Sequence, residues 1–182
     1  GVEMSQTHPG LLPRVNGVLF MHDSGIEIVR SEDAPEYLSL VDRINACDNV
    51  LACGPVLLDN GEKMSYDHIT SSTDKSLKRK AVFFVRRHPR SVIGCDKEGN
   101  VYLVVVDGRA AGKAAGMNIK ELTELCSWLG MVEAMNLDGG GSSTLWSRRY
   151  GVINHPCDNK TFDHEGARKV SSTLVVKSKK GR

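Results

Sequence analysis

Two rhythms of apolar positions run along this chain. Ile119, Leu122, Leu125, Cys126 and Leu129 recur at intervals of three and four, the spacing of one helix face. Asn118 stands before them with Glu121 three residues on, the pairing of a capping box, and Gly130 is placed to end the helix. Ser31 through Ala46 repeats the rhythm with Tyr37, Leu38, Leu40, Val41 and Ile44 and predicts a short helix.

Elsewhere the apolar residues form short runs bounded by turns, which predict strands. Two lie near 16–21 and 26–30, split by Asp23-Ser24-Gly25. Val50 to Leu58 is interrupted by Gly54-Pro55 and closed by the turn Asp59-Asn60-Gly61. Ala81 to Val85 predicts another strand, and Ser91–Asp96 with Val101–Val106 a hairpin around Lys97-Glu98-Gly99-Asn100. The run Val101 to Val106 does not alternate, which suits a central strand covered on both faces. Val132–Leu137, Thr144–Ser147, Val152–Asn154 and Val170–Lys177 read as later strands. Residues 1–15 read as irregular, and polar Ser65–Lys80 as a mobile loop beside a site.

This order contains one strand–helix–strand unit over 101–106, 118–129 and 132–137, and it predicts an α+β (mixed α/β) fold. A crossover helix makes its two strands parallel neighbours in a mixed sheet, packed by helices. Both strands then finish at one carboxyl edge, where such sheets hold ligands. The first ends in Asp107-Gly108-Arg109 and the second in Asp138-Gly139-Gly140-Gly141, so two Asp-Gly junctions converge there.

The second junction is the richest stretch of chemistry in the chain. Asn136-Leu137-Asp138-Gly139-Gly140-Gly141-Ser142-Ser143 strips side chains from three consecutive positions between an acid and two hydroxyls. Such a loop offers N–H donors, a carboxylate and Ser oxygens to a phosphate or a sugar. Known glycine motifs do not fit: no Lys follows as in a P-loop, and Thr144 stands where a dinucleotide fingerprint needs its third glycine. Ser142 has no glycine two residues on, as a hydrolase elbow requires. The six histidines show no metal-ligand spacing, so no metal and no cofactor is expected. His155, in Asn154-His155-Pro156, is a candidate for the site rim. Arg109 is the best cation, because it lies at the expected edge and a planar guanidinium can grip phosphate oxygens in pairs.

Composition narrows the partners. The 182 residues make one domain across 1–182, and 40% hydrophobic content allows a sizeable core. A net charge of +2, with basic stretches confined to Lys78-Arg79-Lys80, Arg86-Arg87 and a tail from Lys177 to Arg182 read as frayed, gives no footprint for nucleic acid. No segment has the apolar length of a membrane span. The cysteines, Cys47, Cys53, Cys95, Cys126 and Cys157, are five in number and form no CxxC pair; Cys95 and Cys126 read as small hydrophobes. No signal peptide is present, and Gly1 reads as the scar of a cleaved tag, so a targeting segment could have been cut away. No oligomeric state is legible, though a homo-oligomer is compatible with the pattern.

The loop resembles the signature of the phosphodiester glycosidase family, and other blocks resemble that family in order. These are Gly54-Pro55-Val56-Leu57, Pro89-Arg90-Ser91-Val92-Ile93-Gly94, Val106-Asp107-Gly108-Arg109, the helix ending at Leu129-Gly130, and Arg168-Lys169-Val170-Ser171. The resemblance covers a core of roughly 50–177. The N-terminal part departs from the pattern: Asn16-Gly17-Val18-Leu19-Phe20 only weakly echoes the family's opening strand, as if the N-terminal portion of the domain were missing.

The resemblance implies cleavage of the sugar C1–O bond in a sugar-1-phosphodiester, such as an N-acetylglucosamine-1-phosphate diester, on cell-envelope or extracellular glycans. It implies a secreted, periplasmic or cell-envelope protein whose partner is a phosphorylated glycan. A phosphate leaving group needs positive charge more than strong acid assistance. The implied phosphate ligands are therefore Arg90, Arg109 and Arg168, helped by the amides of Gly139, Gly140 and Gly141 and by Ser142 and Ser143. Asp138 and Asp107 are the candidates for nucleophile or general base, and Asn136 and Asn154 for hydrogen bonds to sugar hydroxyls. The competing readings are a non-catalytic carbohydrate- or exopolysaccharide-binding module of the same fold, and a phosphodiesterase that cuts the P–O bond.

Overall fold

The computed structural model describes residues 15–31 and 37–177, so expectations for residues 1–14, 32–36 and the basic tail beyond 177 lie outside the described residues. Two sheets and their helices stack in layers. β1 (Gly17–His22) and β2 (Gly25–Arg30) form a hairpin, and β3 (Val50–Cys53) pairs antiparallel on the other side of β1. The larger sheet contains β4 (Val56–Asp59), β5 (Glu62–Lys63), β6 (Arg90–Cys95), β7 (Val101–Val106) and β8 (Glu133–Asn136), in the order β5-β4-β8-β6-β7. The helices are α1 (Tyr37–Ala46), α2 (Asp67–Thr70), α3 (Lys75–Val85) and α4 (Ile119–Trp128), and β9 (Trp146–Ser147) with β10 (Gly151–Val152) makes a small hairpin. Among the described residues no helix is long and apolar enough to cross a membrane.

Alternation along the strands sets the layers. On β1, Val18 and Phe20 meet Leu40 of α1, while Leu19 between them joins Val56, Ile93 and Met135 in the core between the sheets. On β6 and β8, Val92 and Ala134 face away from that core, into the cluster formed with Ile119, Leu122 and Cys126 of α4 and Phe84 of α3. β4 breaks its alternation at one point. Val56 pairs with Met135 and Leu58 with Ala134, so two positions on β4 oppose one on β8. Leu57 and Leu58 consequently enter the same helix-side cluster, as a bulge allows.

The helix α4 forms as its sequence predicts. The Asn118 side chain accepts from the Glu121 N–H at 2.8 Å, Glu121 accepts from the Asn118 N–H at 3.0 Å, and Gly130 takes φ 84° just past the end. Burial pushes the Cys126 thiol up to about 12, in keeping with a buried hydrophobe, and all five cysteines are free.

Five expectations are corrected. Ala81–Val85 is not a strand but the end of α3, and Ser65–Lys80 is not a loop throughout, since it holds α2 and most of α3. Asp74 caps α3 by accepting from the Leu77 N–H, and Ala81 and Phe84 stand three residues apart on the face that enters the core. A five-residue apolar run is too short to display that period by itself. Val101–Val106 is an edge strand rather than a central one. Tyr102, Val104 and Val106 pack toward the helices, whereas Val101 and Leu103, 44% and 36% exposed, stand on the other face. The segment 170–177 forms no strand among the described residues.

The fifth correction concerns the strand–helix–strand unit. β7 and β8 each pair antiparallel with β6, so they run in the same direction but are not neighbours. β6 is inserted between them. The two carboxyl ends still finish at one edge, flanking the start of β6: Val106 pairs with Arg90, Asn136 pairs with Val92, and the Leu137 N–H donates to Ser91 O at 2.8 Å.

Candidate active site

That edge gathers Asp107, Asp138, the glycine loop and a returning segment, residues 154–168. Each glycine of the loop lies against a different neighbour. A Cβ on Gly139 would come within 2.8 Å of Pro89 O, one on Gly140 within 3.0 Å of Arg109 Nη1, and one on Gly141 would collide with the Asp158 carboxylate. Gly140 also takes φ 68°, and Gly140–Ser142 closes one 3-10 turn.

That turn uses up the loop's own donors, so the expected open nest of amides is not there. Gly139 N–H donates to Asp138 Oδ1 at 2.9 Å and Gly140 N–H to Pro89 O at 3.2 Å, and Gly141 packs against the Asp158 carboxylate. Ser142 and Ser143 N–H donate back to Gly139 and Gly140 carbonyls. Positive charge at the site therefore comes from side chains. Arg109 sits beside Gly140, with Nη2 3.2 Å from His88 Nδ1 and Nη1 3.9 Å from Cys157 Sγ. Burial first, and then Arg90, Arg109 and Arg86, hold the His88 imidazole below its usual value. Arg109 has φ 59°, a left-handed backbone that costs a non-glycine residue about 1–2 kcal/mol. On the other flank, Arg168 N–H donates to Gly141 O, and its guanidinium grips Asp158 through Nε at 2.7 Å and Nη2 at 3.1 Å. The Arg168 pair holds the Asp158 carboxyl below the usual carboxylate range, and Arg168 Nη1 lies 3.5 Å from Ser142 Oγ.

The two acids are placed differently. Asp138 is exposed and its carboxylate accepts from its neighbour Gly139. Burial pushes the nearby Cys53 thiol up, and the Asp138 charge adds to that. Asp107 is half-buried and saturated with donors: Asn154 Nδ2 at 2.8 Å, the His155 N–H at 3.0 and 3.1 Å, and His155 Nδ1 at 3.0 Å. Burial alone would raise its pKa, but the Asn154 and His155 hydrogen bonds outweigh burial and hold the carboxyl below its usual range.

Three expected ligands are committed elsewhere. Arg90 is 1% exposed; its Nε donates to Met117 O and its Nη2 to Phe83 O and Arg86 O, with the guanidinium carbon 4.6 Å from the centre of the Phe83 ring. It ties α3 to the chain before α4, and burial first, then Arg109, lowers its pKa to about 10. Asn154 is spent in both directions: Nδ2 donates to Asp107 and to Ser143 O, and Oδ1 accepts from the Leu145 N–H. Asn136 Nδ2 donates to Gly54 O and Leu137 O, while its Oδ1 and Ser143 Oγ are buried without a protein partner. Such atoms suit a bound water as well as a ligand.

One residue joins the site that motif reading passed over. Asp158 anchors both Gly141 and Arg168, and its only trace in the chain is the glycine forced opposite it. His155, expected at the rim, stacks on Phe162 with ring centres 3.9 Å apart and lies 4.6 Å from His164.

Comparison with known proteins agrees with this architecture. The phosphodiester glycosidase family matches residues 7–177. N-acetylglucosamine-1-phosphodiester alpha-N-acetylglucosaminidase of Mus musculus is 40% identical over 75 residues, 41% of this chain and 13% of that protein. The Bos taurus enzyme of the same name matches with the same identity and coverage. The chain thus spans a small part of the length of these relatives. The structure of the zebrafish enzyme's catalytic domain, auto-inhibited by its pro-peptide, superposes with a TM-score of 0.60 at 23% identity, covering 78% of this chain and 45% of that one, and so shares the fold. From its match over nearly the whole of its length, the chain belongs to the phosphodiester glycosidase family.

Proposed function

We propose that this protein hydrolyses a sugar-1-phosphodiester at the C1–O bond, releasing free sugar and a phosphomonoester. The observation that carries the reading is the exposed Asp138 carboxylate on a glycine loop flanked by two arginines, Arg109 and Arg168, in a member of this family. The arginines would neutralise the phosphate as the C1–O bond lengthens and charge builds on the leaving oxygen. Arg168 would do so by exchanging part of its grip on Asp158 for the phosphate, in the bidentate manner of guanidinium groups. Asp138 would serve as nucleophile or as base toward water. The saturation of Asp107 makes it an organiser of the neighbouring chain in this scheme rather than the attacking group. N-acetylglucosamine is the sugar favoured by the curated relatives' names, and an envelope or extracellular glycan is the substrate class.

The test is turnover of the methyl diester of N-acetylglucosamine 1-phosphate in oxygen-18 water. Sugar release with label in the sugar is expected. Label in the phosphate would identify a phosphodiesterase instead, and binding without turnover a carbohydrate-binding module.

A further inference from the structure

Beside the glycine loop lies a small pocket bounded by Arg109, His155, Lys160 and Phe162. His155 reaches it with 29% of its side chain exposed. The imidazole is fixed on two sides. Its face stacks on Phe162 with planes 5° apart, and Nδ1 lies 3.0 Å from Asp107 Oδ2. A carboxylate held in its ionised form only accepts hydrogen bonds, so Nδ1 carries the proton of that pair. The main-chain N–H of the same residue donates to the same carboxylate, and Asn154 supplies the remaining donor. Asp107 thus orients the ring and sets its tautomer. Nε2 makes no hydrogen bond among the described residues and is not among their buried unpartnered atoms, so it is the nitrogen left to the pocket. A bare Nε2 accepts a proton, and the imidazolium form presents an N–H there.

We propose that His155, oriented by Asp107, is the general acid that protonates the departing phosphate oxygen. The inference rests on the sugar-1-phosphodiester reading above. In the step, the sugar C1–O bond breaks and its electron pair stays on the phosphate oxygen. The Nε2 proton moves to that oxygen, giving the phosphomonoester monoanion. The water that takes its place at C1 yields a proton to Asp138, and solvent later reprotonates His155 and deprotonates Asp138. The chemistry fits the leaving group. A phosphomonoester loses its second proton with a pKa of about 6, so the departing dianion takes one proton there. An imidazolium, near 6.5 in its unperturbed state, is closely matched to it, whereas a carboxylic acid would have to be raised by roughly two units. Arg109 and Lys160 line the same pocket and bring positive charge to it.

The groups that face His155 come from three segments. Asp107 ends β7, and Arg109 follows it. Lys160, Asp163 and His164 belong to the returning segment, and Lys113 stands 5.1 Å from the ring centre of Phe162.

The experiment measures kcat and KM against pH for the methyl diester of N-acetylglucosamine 1-phosphate, with the wild-type chain, His155→Gln and Asp107→Asn. Wild-type kcat is expected to fall on the alkaline side as the imidazolium is lost. His155→Gln should lower kcat by about 100- to 10,000-fold and erase that limb, with KM little changed. Asp107→Asn removes the acceptor that orients the ring, so it should lower kcat with KM little changed. A folded His155→Gln variant, checked by near-UV circular dichroism, with kcat within about threefold of wild type would overturn the inference while leaving the proposed function intact. If that variant does not fold, an Asp107→Asn variant with kcat within about threefold of wild type overturns it instead. A wild-type chain without turnover would remove the proposed function and this inference together.

Discussion

Two Asp-Gly junctions end two strands that run the same way, and they have become opposite kinds of site. After β7, Asp107 is held by three donor groups on two residues and ties the returning segment to the sheet. After β8, Asp138 accepts from the adjacent amide and faces solvent. The difference lies in what the later chain brings. Asn154 and His155 arrive over Asp107, whereas the turn at Gly140–Ser142 is drawn toward Pro89 and Asp158 and leaves Asp138 open. A carboxylate's chemistry is thus decided by the donors within reach more than by its local motif.

The sharpest way to break this comparison is to neutralise each acid in turn. Asp138→Asn should lower hydrolysis by about a thousandfold or more without changing the melting temperature, since little in the fold depends on that side chain. Sugar release and a thermal melt check both halves, and a large drop in melting temperature would show that Asp138 too is structural. Asp107→Ala should instead cost stability, by about 1–3 kcal/mol, because it strands the Asn154 and His155 donors; denaturant unfolding measures it.

A pH titration of stability sharpens the contrast further. The folded Asp107 carboxyl lies below its unfolded value, so its contribution is fully present above the unfolded pKa of about 4 and is lost as pH falls through the folded one. Wild-type stability should therefore decline in acid below about pH 4 more steeply than that of Asp107→Asn. The two arginines extend the comparison from acids to bases. Arg109→Ala should raise KM by about tenfold with the fold intact, while Arg90→Ala should destabilise by removing three hydrogen bonds to buried carbonyls. The smallest effect is expected on the open face of β7, where Leu103→Thr should change stability by no more than about 0.5 kcal/mol.

Much of this was legible in the sequence where the determinant is local. The capping box of α4 and the β6–β7 hairpin around Asp96 follow from residues a few positions apart. The insertion of β6 between β7 and β8 was not, because a strand's neighbour depends on pairing across the whole sheet. Arg90 misled for a related reason. By its family block it reads as a phosphate ligand, and only the tertiary fold shows three backbone carbonyls waiting for its buried side chain. Asn136 and Asn154 look like sugar ligands by residue type, but side-chain amides are equally good at closing backbone gaps, and here they do that. Asp158 carried no motif of its own. The faint N-terminal echo proved meaningful: buried Asn16 accepts from the Val56 N–H and donates to the Tyr66 hydroxyl, joining β1 to β4.

The returning segment has a consequence for how the protein is made. Every strand of the larger sheet is complete by Asn136, yet Asn154, His155, Asp158 and Arg168 leave the ribosome after it. A nascent chain halted before Asn154 would hold a finished sheet and an Asp107 carboxylate still searching for its donors. The arrangement of charge around the glycine loop is therefore acquired only after the sheet that carries it.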